Sequence, residues 1–100
     1  MKIYNLKEYE TYFQFKIMQN NREIGVFMHK EPKKYITLIT TPNSSWLYND
    51  KRVEIPIFEL AFNERFIKAL KAIDENDFKY NYQEDIALFR KLKEKLLSMV

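Results

Sequence analysis

The amino-acid sequence predicts an α+β fold, in which a four-stranded antiparallel curved sheet is followed by two C-terminal helices in the order ββββαα. Apolar residues alternate with a period of two as far as about Phe58, and beyond that point they recur at helical spacing. A chain of 100 residues is long enough for one hydrophobic core. We therefore expect a single domain over residues 1–100, with the sheet at 9–58 and the helices at 58–74 and 81–99.

Four strands account for the alternating part of the sequence. They are predicted at residues 10–19, 22–30, 34–41 and 52–57. Asn20 and Asn21 are expected to join the first two strands through a tight turn, because asparagine tolerates a left-handed backbone. Pro56 lacks a backbone N–H, which indicates that the fourth strand ends at the margin of the sheet.

Apolar spacing defines the two helices. The first helix carries on one face Phe58, Phe62, Phe66, Leu70 and Ile73. The acidic run at 74–77 is expected to end it. Asn81 followed by Glu84 has the spacing of a helix N-cap with a reciprocal carboxylate, and this pair begins the second helix.

The first helix is expected to cover one face of the sheet, because a sheet of this size is not stable alone. The second helix either packs beside the first or meets its counterpart in a second copy of the chain. We predict a homodimer with Phe89, Leu92 and Leu96 at its interface, since so small a domain gains stability from pairing. Packing of this helix within the chain is the alternative.

The sheet face opposite the core carries the main functional signal. Alternation places on it Tyr12, Lys16, Phe27, His29, Tyr35 and Ile39. Such a face is normally polar. Aromatic rings among cations instead make a surface on which bases stack while phosphates are neutralised. The predicted nucleic-acid-binding residues are Tyr12, Lys16, Arg22, Phe27, His29, Lys30, Lys33, Lys34, Tyr35 and Arg52.

Each part of this surface also has a purely structural explanation. The rings can pair with one another across neighbouring strands, or lie buried beneath the second helix. The lysines can serve as edge charges that prevent strand-to-strand aggregation. Trp46, Leu47 and Tyr48 form either a plug in the core or an exposed anchor for a protein partner.

The positive charge of the chain lies in its strand half. The net charge is +3, with nine Lys/Arg against six Asp/Glu in residues 1–56 and eight of each in residues 57–100. This excess supports micromolar rather than nanomolar binding of nucleic acid by one copy. A slightly basic protein without a charged partner is the alternative.

Several classes of function lack the residues they need. A single glycine cannot build a Gly-rich phosphate loop, and the absence of cysteine excludes disulfides and thiolate metal sites. His29 is the only histidine and lies in an alternating strand, so a Ser-His-Asp triad is not expected. We expect no enzymatic activity, no cofactor and no metal. No stretch approaches the ~20 apolar residues of a membrane span, and residues 1–8 do not form a signal peptide, so a cytoplasmic protein is expected.

Five segments carry a resemblance to a known fold group. They are residues 13–15, 22–26, 34–38, 52–56 and the apolar face of the helix that follows. Their order resembles the fold of the transcription coactivator called positive cofactor four, the Pur-alpha repeats and the Whirly proteins. The resemblance covers residues 10–74. Members of this group bind single-stranded DNA or RNA across the curved sheet and commonly dimerise through their helices, so the resemblance implies the same ligand and a homodimer.

Three hypotheses follow from the sequence. The first is a non-sequence-specific single-stranded nucleic-acid-binding protein that acts in replication, recombination or transcription. The second is a small phage or mobile-element protein that binds and inhibits a host protein complex; the abundance of Asn, Lys, Ile and Tyr is typical of an AT-rich genome. The third, a metal-dependent nuclease, would require several carboxylates to converge on a metal ion.

Overall fold

A computed structural model describes residues 1–40 and 51–100 and contains an antiparallel sheet followed by helices. The strands are β1 (Lys2–Glu8), β2 (Tyr12–Gln19), β3 (Arg22–His29), β4 (Ile36–Ile39) and β5 (Glu54–Ile55). The helices are α1 (Ile57–Ala61), α2 (Glu64–Ala72) and α3 (Gln83–Leu97), with a 3-10 turn at Glu75–Asp77. The predicted α+β class is confirmed. The predicted group at 46–48 lies outside the described residues.

The sheet contains a strand that the alternation did not predict. The strand order is β4-β3-β2-β1-β5, so the additional strand β1 lies between β2 and β5. Its alternation is broken at Asn5, where φ is +55° and the register with β2 shifts. Asn5 then binds the segment before β5, because its N–H donates to the Val53 carbonyl at 2.8 Å and its Oδ1 accepts from the Val53 N–H at 2.7 Å. Because of this bulge, the residues of β1 do not alternate with a period of two along the whole strand, so the alternation did not predict it.

The turn between β2 and β3 confirms the prediction for its two asparagines. Both have positive φ, 52° at Asn20 and 65° at Asn21, and Gln19 pairs with Arg22 across the turn. Two left-handed residues give the twist that a two-residue hairpin needs. The register that follows places the odd-numbered residues of β2 and the even-numbered residues of β3 on one face.

That face forms the core beneath the helices. Its buried side chains are Phe13, Phe15, Ile17, Ile24, Val26, Met28, Ile36 and Leu38. Phe66 of α2 contacts two of them edge to face, with ring centroids 5.2 Å from Phe13 and 5.3 Å from Phe15. Burial of such apolar side chains stabilises the domain by about 1.5–3 kcal/mol each. The prediction that the first helical region covers this face is confirmed by the position of α2.

Helix α3 packs beside α1 and α2 and completes the same core. Phe89, Leu92 and Leu96 are all fully buried within the chain. Three buried side chains have no surface to offer a second copy, so the prediction of a dimer interface at these positions is wrong. The physical reason is that β1 widens the sheet and α1 and α2 are short, which leaves an apolar gap that α3 fills.

The first helical region is two helices, which changes the exposure of two phenylalanines. Asn63 begins α2, and its Oδ1 accepts the Phe66 N–H at 3.0 Å. This N-cap interrupts the predicted continuous helix and changes the direction of the chain. Phe58 and Phe62 were predicted on the inward face, but they are 57% and 81% exposed. Their predicted position in the core is wrong.

The start of α3 also differs from the prediction. Tyr82, rather than Asn81, is its N-cap residue, and it makes no side-chain cap. The reciprocal capping arrangement occurs instead in the acidic run, where Asp74 accepts from the Asn76 N–H and donates its own N–H to Asp77. None of the helices in the two described ranges is long and apolar enough to cross a membrane.

Candidate nucleic-acid interface

The sheet face opposite the helices carries the side chains that alternation placed there. Across β2 and β3, Tyr12 lies opposite His29 and Lys16 lies opposite Gly25. Tyr35 directly precedes β4, and its carbonyl accepts the His29 N–H at 2.9 Å. Because these residues alternate with the core residues, the same hairpin registers that build the core bring the rings together on the other face.

Four rings form a continuous row at one end of this face, and we call them the ring row: Tyr9, Tyr12, His29 and Tyr35. Tyr9 and Tyr12 are stacked with centroids 4.7 Å apart. Tyr12 lies 5.2 Å from His29, and His29 stacks on Tyr35 at 3.9 Å with an interplanar angle of 12°. Phe27 lies beside the row, 6.0 Å from Tyr12. The row crosses β2 and β3 and ends beside β4, an edge strand of the sheet.

The exposed rings are at the two ends of the row. Tyr9 is 41% exposed and Tyr35 is 47% exposed, whereas Tyr12 and His29 are half-buried. Tyr12 stacks on Tyr9 and His29 stacks on Tyr35, so each inner ring already has one face covered, and a planar ligand would stack at an end rather than flat across the sheet. Burial lowers the pKa of His29, which keeps its imidazole neutral at pH 7. His29 therefore adds no positive charge to the ring row at pH 7.

Tyr35 stands between two grooves. One groove has a volume of about 470 Å³ and is lined by His29, Lys33 and Tyr35 together with residues 10–11 and 30–32. The other, of about 530 Å³, lies between β4 and the segment 76–81 and is lined by Tyr80 as well as Tyr35. A ligand in either groove would contact the same terminal ring of the row.

Tyr80 is a candidate that the sequence reasoning missed. Its side chain is fully exposed, and its backbone is left-handed with φ of 65°, an uncommon conformation for a bulky residue. The neighbouring Asn81 holds this turn against β4 through hydrogen bonds to Leu38 and Ile36. The available signal was composition, since two tyrosines flank Asn81 in the connection between the two predicted helices.

Most of the predicted phosphate-binding cations are engaged within the chain. Lys30 lies 2.8 Å from Glu8, Lys34 2.8 Å from Asp74, and Arg52 2.8 Å from Glu23; Arg22 pairs with the buried Asp85 and lies 3.2 Å from Glu84. Hydrogen bonds from Lys30 and Lys34 lower the pKa values of Glu8 and Asp74, respectively, and the Asp85 carboxylate raises the pKa of Arg22. A phosphate would have to compete with a carboxylate for each of these cations.

Lys16 and Lys33 differ from each other in their exposure. Lys16 lies on the predicted face but is only 1% exposed, so the expectation that it is exposed is wrong. Gly25 and Tyr4 are its cross-strand neighbours, and the absence of a side chain at Gly25 leaves room for the lysine stem against the sheet. Lys33 is exposed at the first groove and has no ion-pair partner among the described residues.

Within 1–40 and 51–100, no group of three or more His, Cys, Asp or Glu side chains is placed to hold a metal ion. Comparison of the chain with protein-family models, with curated proteins and with solved structures gave no match. The resemblance to the positive cofactor four, Pur-alpha and Whirly group therefore stays a prediction from sequence.

Proposed function

We propose that this chain binds single-stranded nucleic acid without sequence preference, with bases stacked on the exposed ends of the ring row. The observation that carries the proposal is the row itself, four contacting rings that end at the exposed Tyr35 between two grooves. A base has a π-face whatever its identity, so stacking on a tyrosine is sequence-tolerant and contributes about 1–3 kcal/mol per base. Replication, recombination and transcription are the processes that expose such single strands.

The pairing of the cations determines what kind of binding to expect. Lys30, Lys34 and Arg52 are each held by a carboxylate, so few phosphates are neutralised. For single strands, the logarithm of the binding constant falls with the logarithm of salt concentration by about 0.7 for each phosphate contacted. We expect one to three phosphate contacts, hence a slope between about −0.7 and −2 and a micromolar affinity.

Fluorescence anisotropy of a labelled single-stranded oligonucleotide tests the proposal, with a duplex of the same sequence as control. Tyr35→Ala removes the terminal ring and should weaken binding about 5- to 150-fold, the equivalent of one stacked base. Tyr35→Phe keeps the ring and should bind as the wild type does. Tyr82→Ala removes a tyrosine that is 71% exposed outside the two grooves, and it should leave the affinity unchanged.

Circular dichroism of each variant establishes that it is folded before binding is compared. The proposal would be contradicted by no single-strand binding at tens of micromolar, or by equal losses for the alanine variants of Tyr35 and Tyr82. A preference for duplex would also oppose it, since paired bases do not offer their faces.

A second candidate function is that of a small phage or mobile-element protein that binds and inhibits a host protein complex. The observation in its favour is the exposure of Phe58 and Phe62 at the end of α1. Large exposed apolar side chains are frequent at protein interfaces. Photo-crosslinking from position 62, with position 91 on α3 as control, should give a discrete protein adduct only at position 62.

A further inference from the structure

A small cationic cleft lies next to the ring row. It is formed between the residues that directly follow β3 and helix α2. It has a volume of about 240 Å³ and is lined by Lys30, Glu31, Arg65, Lys68 and Ala69. Arg65 and Lys68 are three residues apart in α2, a spacing that puts them on one side of the helix. Two elements that are distant in sequence thus contribute cations to one cavity.

Glu8 holds two of the three cations in place. Its Oε2 accepts from Lys30 Nζ at 2.8 Å, and its Oε1 lies 3.1 Å from an Arg65 terminal nitrogen. The Lys30 ammonium is held further by the Tyr9 carbonyl at 2.9 Å. The Arg65 side chain is still 78% exposed, so most of its five N–H donors remain available to a planar anionic group. Glu8 therefore fixes the orientation of the Arg65 guanidinium and leaves most of its N–H donors available to an anion.

The cleft adjoins the first groove beside Tyr35. Lys30 and Glu31 line both cavities, so these two residues form the ridge between them. On one side of the ridge are the rings of His29 and Tyr35, and on the other are the cations of α2. A nucleotide strand that crosses the ridge could therefore place a base against Tyr35 and an adjacent phosphate near Arg65.

The charge of the cleft matches one phosphodiester. The cations Lys30, Arg65 and Lys68 face the carboxylates of Glu8 and Glu31, which leaves an excess of one positive charge. A phosphodiester carries one negative charge and offers the two oxygens that an arginine binds in a bidentate manner. We infer that this cleft is a phosphate subsite, formed by Arg65 and Lys68, for the single strand whose base stacks at Tyr35; this inference rests on the proposed function.

Charge-matched double variants test the subsite. Arg65→Gln with Lys68→Gln removes two cations from the cleft and keeps their apolar stems. Lys91→Ala with Lys95→Ala removes two exposed cations from α3, away from the cleft. In the anisotropy assay the cleft variant should bind at least fivefold more weakly than the α3 variant at 50 mM salt, and its salt slope should be shallower by about 0.7, the loss of one phosphate. Equal binding by the two double variants would overturn the subsite and leave the ring-row proposal standing.

Titration of the full chain with inorganic phosphate, followed by amide chemical shifts, separates the two proposals if no oligonucleotide binds. Saturable shifts at residues 30–31 and 65–69 that disappear in the cleft variant would establish a site for free phosphate while the proposed function fails. Absence of such shifts would overturn the subsite as well.

Discussion

Asn81 pairs with the backbone of Leu38 as a neighbouring strand would. The Leu38 N–H donates to Asn81 Oδ1 at 2.9 Å, and Asn81 Nδ2 donates to the Ile36 carbonyl at 3.3 Å. Both backbone groups lie on the outer side of β4, which is an edge strand of the sheet. An open edge can pair with another chain, so a side-chain amide at this position blocks the edge and fixes the turn that carries Tyr80.

Replacement of Asn81 should therefore destabilise the protein and open the edge. Asn81→Ala leaves two backbone groups of β4 without their partner, and it should lower the free energy of unfolding by about 1–3 kcal/mol. Urea denaturation measures this loss, and light scattering should detect association that increases with concentration. Asn76→Ala, an exposed asparagine in the same connection, serves as the control. A change below about 0.5 kcal/mol for Asn81→Ala would contradict the role assigned to it.

The ion pair between Arg22 and Asp85 should be required for stability. Asp85 is fully buried, whereas the Arg22 side chain is 40% exposed. Arg22→Ala leaves a buried carboxylate unpaired and should lower the free energy of unfolding by about 3 kcal/mol, the lower end of the range because water screens the exposed arginine. Replacing both residues with leucine should bring stability to within about 1 kcal/mol of the wild type.

Urea denaturation of the two variants measures this difference. If Arg22→Ala and the double variant were equally stable, the pair would not be coupled. The Arg22 guanidinium is already paired with Asp85 and is not expected to bind a phosphate. Arg22→Ala should therefore weaken oligonucleotide binding only by lowering the fraction of protein that is folded.

The single histidine should make stability fall in mildly acidic solution. Burial lowers the pKa of His29 below its ordinary value of 6.5, so the unfolded chain binds the proton more readily than the folded one. Stability is then complete above about pH 6.5 and decreases as the pH falls below that value.

The urea midpoint at pH 7.5 and at pH 5.5 measures this effect. His29→Phe keeps a ring in the row and removes the titration, so its midpoint should change much less between the two pH values. Glu8 and Asp74, whose pKa values are lowered by their lysine partners, contribute stability that is lost only at lower pH. An identical decline in the wild type and the variant would show that His29 is not responsible.

Two phenylalanines four residues apart should respond differently to truncation. Phe66 is fully buried against Phe13 and Phe15, so Phe66→Ala should cost about 3–5 kcal/mol. Phe62 is 81% exposed, and Phe62→Ala should change the free energy of unfolding by less than about 0.5 kcal/mol. Thermal or urea denaturation of the two variants makes the comparison. A large loss at Phe62 would mean that it packs in the core, as its spacing in the sequence predicts.

The core residues of the sheet were predictable because the alternation of apolar and polar residues is visible within a short stretch of sequence. Phe13, Phe15, Ile24 and Val26 are buried, as a period of two predicts. Strand β1 was not predictable in this way, because the bulge at Asn5 shifts the period within a strand of seven residues. The separation of α1 from α2 was hidden for a related reason: the phenylalanine spacing continues across Asn63, although its side chain begins a new helix.

The composition of the candidate interface was predictable, but its electrostatics were not. Ring positions follow from hairpin register, which the asparagine turn sets locally. The partners of the cations come from other elements, since Lys34 pairs with a residue 40 positions away and Arg22 with one 63 positions away. Such pairs depend on the packing of helices against the sheet, which periodicity does not specify. Because the cations are paired, the expected salt dependence of nucleic-acid binding is smaller than the sequence alone suggested. The expected stacking sites are the exposed ends of the ring row rather than the whole sheet face.

The position of β1 within the sheet has a consequence for the order in which the chain folds. Strands β1 to β4 each pair with their sequence neighbour, whereas β5 pairs with β1 through contacts such as Ile3 with Ile55. Contacts between sequence neighbours close small loops and form early, while distant ones form late. During synthesis the first four strands can assemble once residue 39 has left the ribosome. Strand β1 then keeps an open edge until residue 55 follows, and an open edge can pair with another chain.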